Sequence, residues 1–550
     1  MQASRWPGAH CRRSRAKVTS GTLVAGLLAA TASLLPAASS ARPAAQDPAP
    51  PPPSAPGAGL HAPRCEDLPK IRFSPGVFAL PTGGAVIREA VEMETGSAGR
   101  RTAFCRVRGA IQAASPADPD ILFQMNLPHD WNGKTVQFGG GGLNGVVIEA
   151  TGPFAGAGEG VPSALSRGYM TYGGDSGHQG DGRDFYDNAQ AFANYAHEAV
   201  KRTRDLAGAL ARAYYGRTPA RNYHIGGSKG GQEALQAVQR YPADYDGVVA
   251  YYPAAQSQSL QLGWNRLWTF AYHVPGAAMD KSAQALLKGS VLKACDGLDG
   301  ARDGLVSNVS ACSAAFRIES LACSRANMSS CLTRPQINAL KAAARPFRFA
   351  HPMPNGIRSI GPWPVFIGGD LELWLGDGED GRQQGFYRHP APRPEAMQSS
   401  GIPAKAWERE VLATARIFDA SSPDLDAFRA DGGRILMVQG TTDILVPLAM
   451  TNAYYERLSA RYGQGLGEFL RYYVAPGYGH GYGDFHLEWD SLSALDAWVE
   501  TGAAPTDPVA TDIAAATRGR TRPLCEYPLF PRYRGTGSLD EAASFVCARK

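Results

Sequence analysis

Along most of this chain, short apolar runs bounded by glycine and polar clusters alternate with longer segments whose apolar residues recur at helical spacing. Residues 120–128 (DILFQMNLP) and 133–138 (GKTVQF) read as strands, and the second runs into the glycines of 139–142. Residues 191–215 (AFANYAHEAVKRTRDLAGALARAYY) have helical spacing, 222–226 form a short strand, and another helix begins over 232–240. Residues 246–252 (DGVVAYY) and 434–439 (RILMVQ) are continuous apolar runs of the kind that fits a strand covered on both faces. A helix over 448–461, a strand over 469–474 and a helix over 491–500 complete the pattern. This order predicts an α/β protein with a mostly parallel sheet and helices on both faces.

The alternation fades between 253 and 430, a region with four cysteines, many prolines, and Trp264, Trp268, Trp363 and Trp374. It reads as an inserted lid domain, which divides the core into a first part over 65–252 and a second part over 431–550. Trp363, Phe366, Trp374, Phe386 and Tyr387 of this insert could stack on an aryl group, but aromatics in an insert more often form its own core.

Composition adds an address. Arg5, Arg12, Arg13, Arg15 and Lys17 precede a weakly apolar run over 18–35, with small residues up to Ala41. That is the layout of a secretory signal over 1–41; Arg12-Arg13 hints at a twin-arginine route, although the rest of that consensus is not evident. Residues 42–64 are rich in proline and alanine and read as a linker. No later run of 18 or more apolar residues is present, so no membrane span is expected, and the protein is expected to be secreted or periplasmic. The formal net charge is +5. It falls to about zero without the five leader cations, which argues against an electrostatic nucleic-acid partner. Cys11 lies in the leader, and the close groupings of the other cysteines favour pairing Cys65 with Cys105, Cys295 with Cys312, Cys323 with Cys331, and Cys525 with Cys547. The sequence alone admits other pairings. Zinc is disfavoured, because the spacings show no repeated C-x-x-C and no adjacent histidine pair.

The candidate chemistry centres on residues 224–231 (HIGGSKGG), which contain Gly-x-Ser-x-Gly between a strand and a helix. A strand that turns abruptly into a helix lifts a serine hydroxyl clear of the sheet, and flanking glycines relieve the crowding; this nominates Ser228 as nucleophile. A flexible glycine turn gives the same pentad, so the preceding helix and strand carry much of the argument. Neither this loop nor 139–142 has the spacing of a nucleotide-binding P-loop. In an α/β-hydrolase the acid and the base follow the serine in that order. Asp443 lies just beyond the 434–439 strand, whereas Asp424, Asp426 and Asp431 precede it and read as loop or capping groups. His480 sits in the glycine-rich loop PGYGHG; His486 is its rival. The Lys229 N–H and a donor from the 139–142 loop would face a developing oxyanion, while the Lys229 side chain reads as solvated. Residues 295–305 (CDGLDGARDGL) place three carboxylates in a glycine-rich turn, a pattern that suits calcium and equally an acidic surface turn.

With these segments in hand, the chain resembles the tannase and feruloyl esterase family, which includes terephthalate monoester hydrolases. The resemblance runs through WNGKTVQFGGGGLNG, ALSRGYMTYGGDSGH, YYGRTPARNYHIGGSKGG, YPADYDGVVAYYPAA, DLDAFRADGGRILMVQGTTD, YYERL and RTRPLCEYP. It implies an α/β-hydrolase fold with a large inserted lid, and a secreted serine carboxylesterase acting on feruloyl, galloyl or monoaryl terephthalate esters. The site it implies has Ser228, Asp443 and His480 as triad and the Gly142 and Lys229 backbones as oxyanion hole. It also implies a structural Ca2+ on the side chains of Asp296, Asp299 and Asp303 and the carbonyls of Ala301 and Leu305, and Trp489 as an aromatic wall for substrate. One departure stands out. The family pattern has a disulfide between cysteines directly before the serine and directly after the histidine, where this chain has Gly227 and Gly481. Packing is expected to hold the two loops in register instead. An acyltransferase using the same triad, or a noncatalytic calcium-stabilised binding module, are the alternative functions.

Overall fold

The computed structural model describes residues 63–96, 101–180, 184–272, 274–324, 330–372 and 405–549. The leader with Arg12 and Arg13, nearly all of the linker, and Trp374, Phe386 and Tyr387 lie outside the described residues. Within His61–Lys550, an eleven-stranded sheet organises the described residues. Its first strands are β1 (Arg72–Phe73), β2 (Gly84–Thr95), β3 (Thr102–Gln112), β4 (Ile121–Pro128), β5 (Lys134–Phe138), β6 (Met170–Gly174), β7 (Arg221–Gly227) and β8 (Gly247–Tyr251). A separate hairpin, β9 (Phe347–Met353) with β10 (Ile357–Ile360), lies in the segment between β8 and β11 (Arg434–Gly440). The chain then adds β12 (Leu470–Ala475), a small sheet of β13 (Leu487–Glu488), β14 (Val509–Asp512) and β15 (Thr521–Pro523), and β16 (Cys525–Glu526).

The order across the large sheet is β1-β2-β3-β4-β6-β5-β7-β8-β11-β12-β16. Strands β6 to β12 of that order pair in parallel, whereas β1 to β4 and β16 join antiparallel. The predicted parallel centre is present, and the long β2–β3 hairpin extends it. Along β8, β11 and β12, alternate residues face opposite sides, as the period of a strand requires. Val249, Tyr251, Leu436, Val438 and Tyr473 join one apolar cluster, with Leu492, Leu495 and Trp498 of the helix Ser491–Thr501. Val248, Ala250, Ile435, Met437 and Tyr472 join the other. There they meet Ala234, Leu235 and Val238 of the helix Lys229–Arg240 and Tyr454 and Leu458 of the helix Leu448–Tyr462. This double covering is why 434–439 reads as an unbroken apolar run.

The segment between β8 and β11 supplies most of a further apolar cluster, which includes Leu260, Leu267, Val291, Leu340, Phe347 and Trp363 and takes in Ile444, Val446 and Met450 from beyond β11. Trp363 is thus a core residue, and Phe366 packs partly buried against the same cluster. The segment returns to the sheet through the helix Lys405–Phe418, whose terminal carbonyl accepts hydrogen bonds from Gln232 (2.8 Å) and Gln236 (3.1 Å) of the helix after Ser228. No helix among the described residues is long and apolar enough to cross a membrane.

The four cysteine pairs favoured by the sequence are all bonded: Cys65–Cys105, Cys295–Cys312, Cys323–Cys331 and Cys525–Cys547. The first spans 40 residues of sequence and ties the start of the folded chain to β3. In the chain-entropy model a loop of that size contributes about 4 kcal/mol. A Cys65→Ser/Cys105→Ser variant is expected to lose about that much in urea unfolding, with a steeper transition because the uncrosslinked unfolded chain exposes more surface.

Candidate active site

Strand β7 ends at Gly227, and Ser228 turns the chain into the helix Lys229–Arg240 at φ 58° and ψ −116°. A non-glycine residue holds such a conformation only where its surroundings over-determine it. Here the Ser228 N–H donates to Tyr251 O at 3.0 Å, and its carbonyl accepts from the N–H groups of Gln232 (3.0 Å) and Ala254 (3.1 Å). Gly230 allows the close approach of the neighbouring loop: a Cβ there would stand 2.7 Å from the Gly140 carbonyl oxygen. One cleft is lined by Ser228 and Lys229 together with Gly142 from the early glycine loop, and Leu260, Trp264 and Phe418 form its apolar side.

Asp443 lies in the turn just after β11, beyond Thr441 and Thr442, and is fully buried. Its Oδ1 accepts from the N–H groups of Leu445 (2.9 Å) and Val446 (2.8 Å), and its Oδ2 lies 2.9 Å from His480 Nδ1. A carboxylate fixed at one oxygen and turned to an imidazole at the other selects the tautomer that leaves Nε2 free as a base. His486 lies elsewhere: its N–H donates to Asp512, and its carbonyl accepts from Ile513 in the sheet of β13 to β15. Asp424 and Asp426 pair with Arg461 at the surface. The loops that carry Ser228 and His480 approach each other at their glycines, where Gly227 and Gly481 both abut the hydroxyl of Tyr252.

The Lys229 side chain differs from the solvated group read from the sequence. It is 3% exposed; its Nζ lies 2.8 Å from Glu233 Oε1 and 4.6 Å from the centroid of Tyr195. The same Glu233 accepts from the Gly140 N–H (3.0 Å) and from Asn144 Nδ2 (2.8 Å). Burial alone would raise the Glu233 carboxyl, but the Lys229 ammonium outweighs it and holds the group below the usual carboxylate range. Tyr195 Oη donates to the Gly142 carbonyl at 3.0 Å, from a π-turn at Asn194–Glu198 that interrupts the helix expected over 191–215. Glu233, Asn144 and Tyr195 were invisible to sequence reasoning. The i,i+4 spacing of Lys229 and Glu233 was the available signal, but it normally marks an exposed pair.

The remaining expectations fare differently. Trp489 is buried against Tyr473, with its backbone N–H donating to the Gly156 carbonyl, and the aromatic side chains lining the Ser228 cleft are Tyr186, Tyr195, Trp264 and Phe418. The calcium expectation is corrected. Asp296 Oδ1 accepts from the N–H groups of Asp303 and Gly304, and Asp299 Oδ1 from that of Ala301. Asp303 accepts from the Leu305 N–H and forms a buried ion pair with Arg522. Among the described residues, the acidic, histidine and cysteine side chains that converge closely enough for one ion are Cys65, Glu92 and Cys105, and the two cysteines are joined in a disulfide. Asp296, Asp299 and Asp303 are thus aimed at amides and a guanidinium, and Ala301 and Leu305 serve the same turns as donors.

Comparison with known proteins places this geometry in context. Residues 105–384 and 396–548 match the family described as tannase and feruloyl esterase. An uncharacterized esterase of Agrobacterium fabrum is 34% identical over 508 residues, covering 86% of this chain and 90% of its own. The mono(2-hydroxyethyl) terephthalate hydrolase of Piscinibacter sakaiensis is 32% identical over 526 residues, covering 82% and 86%. The crystal structure of feruloyl esterase B from Aspergillus oryzae superposes with a TM-score of 0.73 at 22% identity, over 88% of this chain and 99% of that one. That likeness shows the shared fold.

The buried Lys229–Glu233 pair leads to a two-part prediction. Glu233→Gln leaves a buried ammonium without its counter-charge and is expected to lose about 3 to 5 kcal/mol of stability. Lys229→Met/Glu233→Leu removes both charges and should restore part of that stability in urea unfolding, the rest being lost to the donors that Glu233 no longer accepts from. Its kcat should nevertheless stay about tenfold or more below wild type, because the Gly140 N–H and Asn144 have lost the acceptor that seats the glycine loop.

Proposed function

The chain belongs to the tannase and feruloyl esterase family, and we propose that it hydrolyses esters of aromatic carboxylic acids through an acyl-enzyme on Ser228. The observation that carries this reading is the 2.9 Å contact of His480 Nδ1 with a fully buried Asp443, in the chain order Ser, Asp, His, beside a serine held at φ 58°. His480 Nε2 takes the Ser228 proton as Oγ attacks the ester carbonyl, then returns a proton to the leaving alcohol. The reverse roles, with water as nucleophile, release the acid. Asp443 fixes the imidazole and stabilises its charged form. The backbone N–H groups of Lys229 and Gly142 receive the oxyanion.

Residues 253–430 act as the lid in this reading. The support is the apolar cluster they build against Ile444, Val446 and Met450 of the core, and the side chains of Leu260, Trp264 and Phe418 that they bring to the cleft. Trp264 is held by a 2.8 Å hydrogen bond from its Nε1 to Leu445 O, beside Asp443 in sequence, which fixes an aromatic face for an aryl acyl group. Feruloyl, galloyl and monoaryl terephthalate esters are the substrate classes that fit. Four disulfides suit an oxidising compartment, in keeping with a secreted or periplasmic protein.

Initial rates on methyl ferulate, methyl gallate, mono(2-hydroxyethyl) terephthalate and p-nitrophenyl acetate test the proposal. At least one aryl ester should be turned over, and Ser228→Ala should reduce kcat by roughly a thousandfold or more. Turnover that survives in Ser228→Ala would refute the assignment. Chromatography of the products with an added alcohol should show the free acid as the main product rather than a new ester.

A further inference from the structure

The reaction assigned above makes no use of Tyr252, yet this residue stands between the two loops that carry Ser228 and His480. It follows β8 directly, in a left-handed backbone conformation at φ 32°, and its N–H donates to Val438 O of β11 at 2.7 Å. Its side chain is largely buried. The ring lies 4.7 Å from the His480 imidazole, centroid to centroid, and 5.8 Å from the ring of Tyr478, to whose phenol it is also hydrogen-bonded. Burial pushes the Tyr252 phenol up to about 12, so it is a neutral group throughout the working range of an esterase.

The hydroxyl end of Tyr252 occupies a space that two glycines leave open. A Cβ on Gly227 would stand 2.7 Å from the Tyr252 oxygen, and a Cβ on Gly481 would stand 3.1 Å from it. Gly481 also has φ 89°, a conformation that favours glycine. The phenol and the two glycines therefore form one arrangement, at the positions where the family pattern carries its paired cysteines. His480 has particular need of such a support. It sits in Gly477-Tyr478-Gly479-His480-Gly481-Tyr482-Gly483, a run whose alternating glycines leave the backbone intrinsically loose. Asp443 grips the imidazole at Nδ1 alone, and a ring held through one nitrogen can still swing about that bond. A bulky ring packed beside it, tilted by 49° to the imidazole plane, blocks this swing.

We propose that Tyr252 is a positioning residue, wedged between the serine and histidine loops, that sets the His480 imidazole against Ser228 by packing in place of a covalent tether. The proposal rests on Ser228 and His480 being the reacting pair. The ring is the working part, and the hydroxyl serves mainly to fill the space beside the two glycines and to bond Tyr478.

The test uses the full-length enzyme with Tyr252→Phe, Tyr252→Ala, and Tyr252→Ala combined with Gly227→Cys and Gly481→Cys. For each, kcat and KM on an aryl ester, the rate of labelling by a serine-directed phosphonate, and the thermal midpoint are measured. Tyr252→Phe should keep kcat within about threefold of wild type, whereas Tyr252→Ala should lose about tenfold or more in both kcat and labelling with KM within about twofold, as a misplaced but intact triad predicts. Oxidising the cysteine pair in the alanine background should recover part of that loss, and reducing it should remove the gain. Should Tyr252→Ala prove unfolded, Tyr252→Leu takes its place with the same expected loss. Wild-type kcat and labelling in the alanine or leucine variant, or equal losses in phenylalanine and alanine, would overturn the role of Tyr252. A wild-type enzyme that neither turns over an aryl ester nor labels at Ser228 would instead refute the underlying esterase reading.

Discussion

The whole site depends on one strained turn. Ser228 leaves β7 in a conformation that side chains rarely adopt, and the parallel sheet holds it there through hydrogen bonds to Tyr251 and Ala254 at the end of the adjacent strand. Strand β8 can hold it because it is covered on both faces, by Leu495 and Trp498 on one side and by the helix after Ser228 on the other. The sheet thus converts ordinary apolar burial into a fixed position for one hydroxyl. The other two side chains of the proposed triad come from the next strands in the sheet: Asp443 from the loop after β11, and His480 from the loop after β12.

A second layer of order comes from buried polar groups. Glu233 has three partners, namely Lys229, Asn144 and the Gly140 N–H, and so joins the helix after Ser228 to the early glycine loop. Tyr195 adds a contact to Gly142 from the other side. An unpaired charge at this depth is strongly destabilising, so Lys229 and Glu233 depend on each other. The helix Lys405–Phe418 completes the enclosure by accepting from Gln232 and Gln236, which ties the end of the inserted segment to the helix that begins at the nucleophile.

Much of this was legible in the sequence, for identifiable reasons. The strands β7, β8, β11 and β12 announce themselves because burial on both faces demands continuous apolar runs, and Ser228, Asp443 and His480 stand where those runs end. The β2–β3 hairpin was not read: one face of β2 is solvated, so its charged residues dilute the apolar signal. The π-turn at Asn194–Glu198 leaves helical spacing nearly intact and so looks like ordinary helix. The burial of Lys229 is not legible in the sequence because it depends on Glu233 and Tyr195 meeting it in three dimensions. The acidic turn at 295–305 has the composition of a calcium loop, but Arg522, more than 200 residues away in sequence, neutralises Asp303. A composition pattern cannot show a partner that distant.

Gly227 and Gly481 illustrate the same limit from the other side. In the sequence they are two missing cysteines; in the fold they are the space that admits Tyr252. All these contacts matter only if Ser228 becomes acylated. Peptide mass spectrometry after rapid acid quench of the enzyme with a p-nitrophenyl ester of an aromatic acid tests this directly. The account predicts an acyl adduct approaching one per enzyme on the peptide containing Ser228, absent in His480→Ala. Continued turnover with no adduct, or with the adduct on another residue, would contradict it.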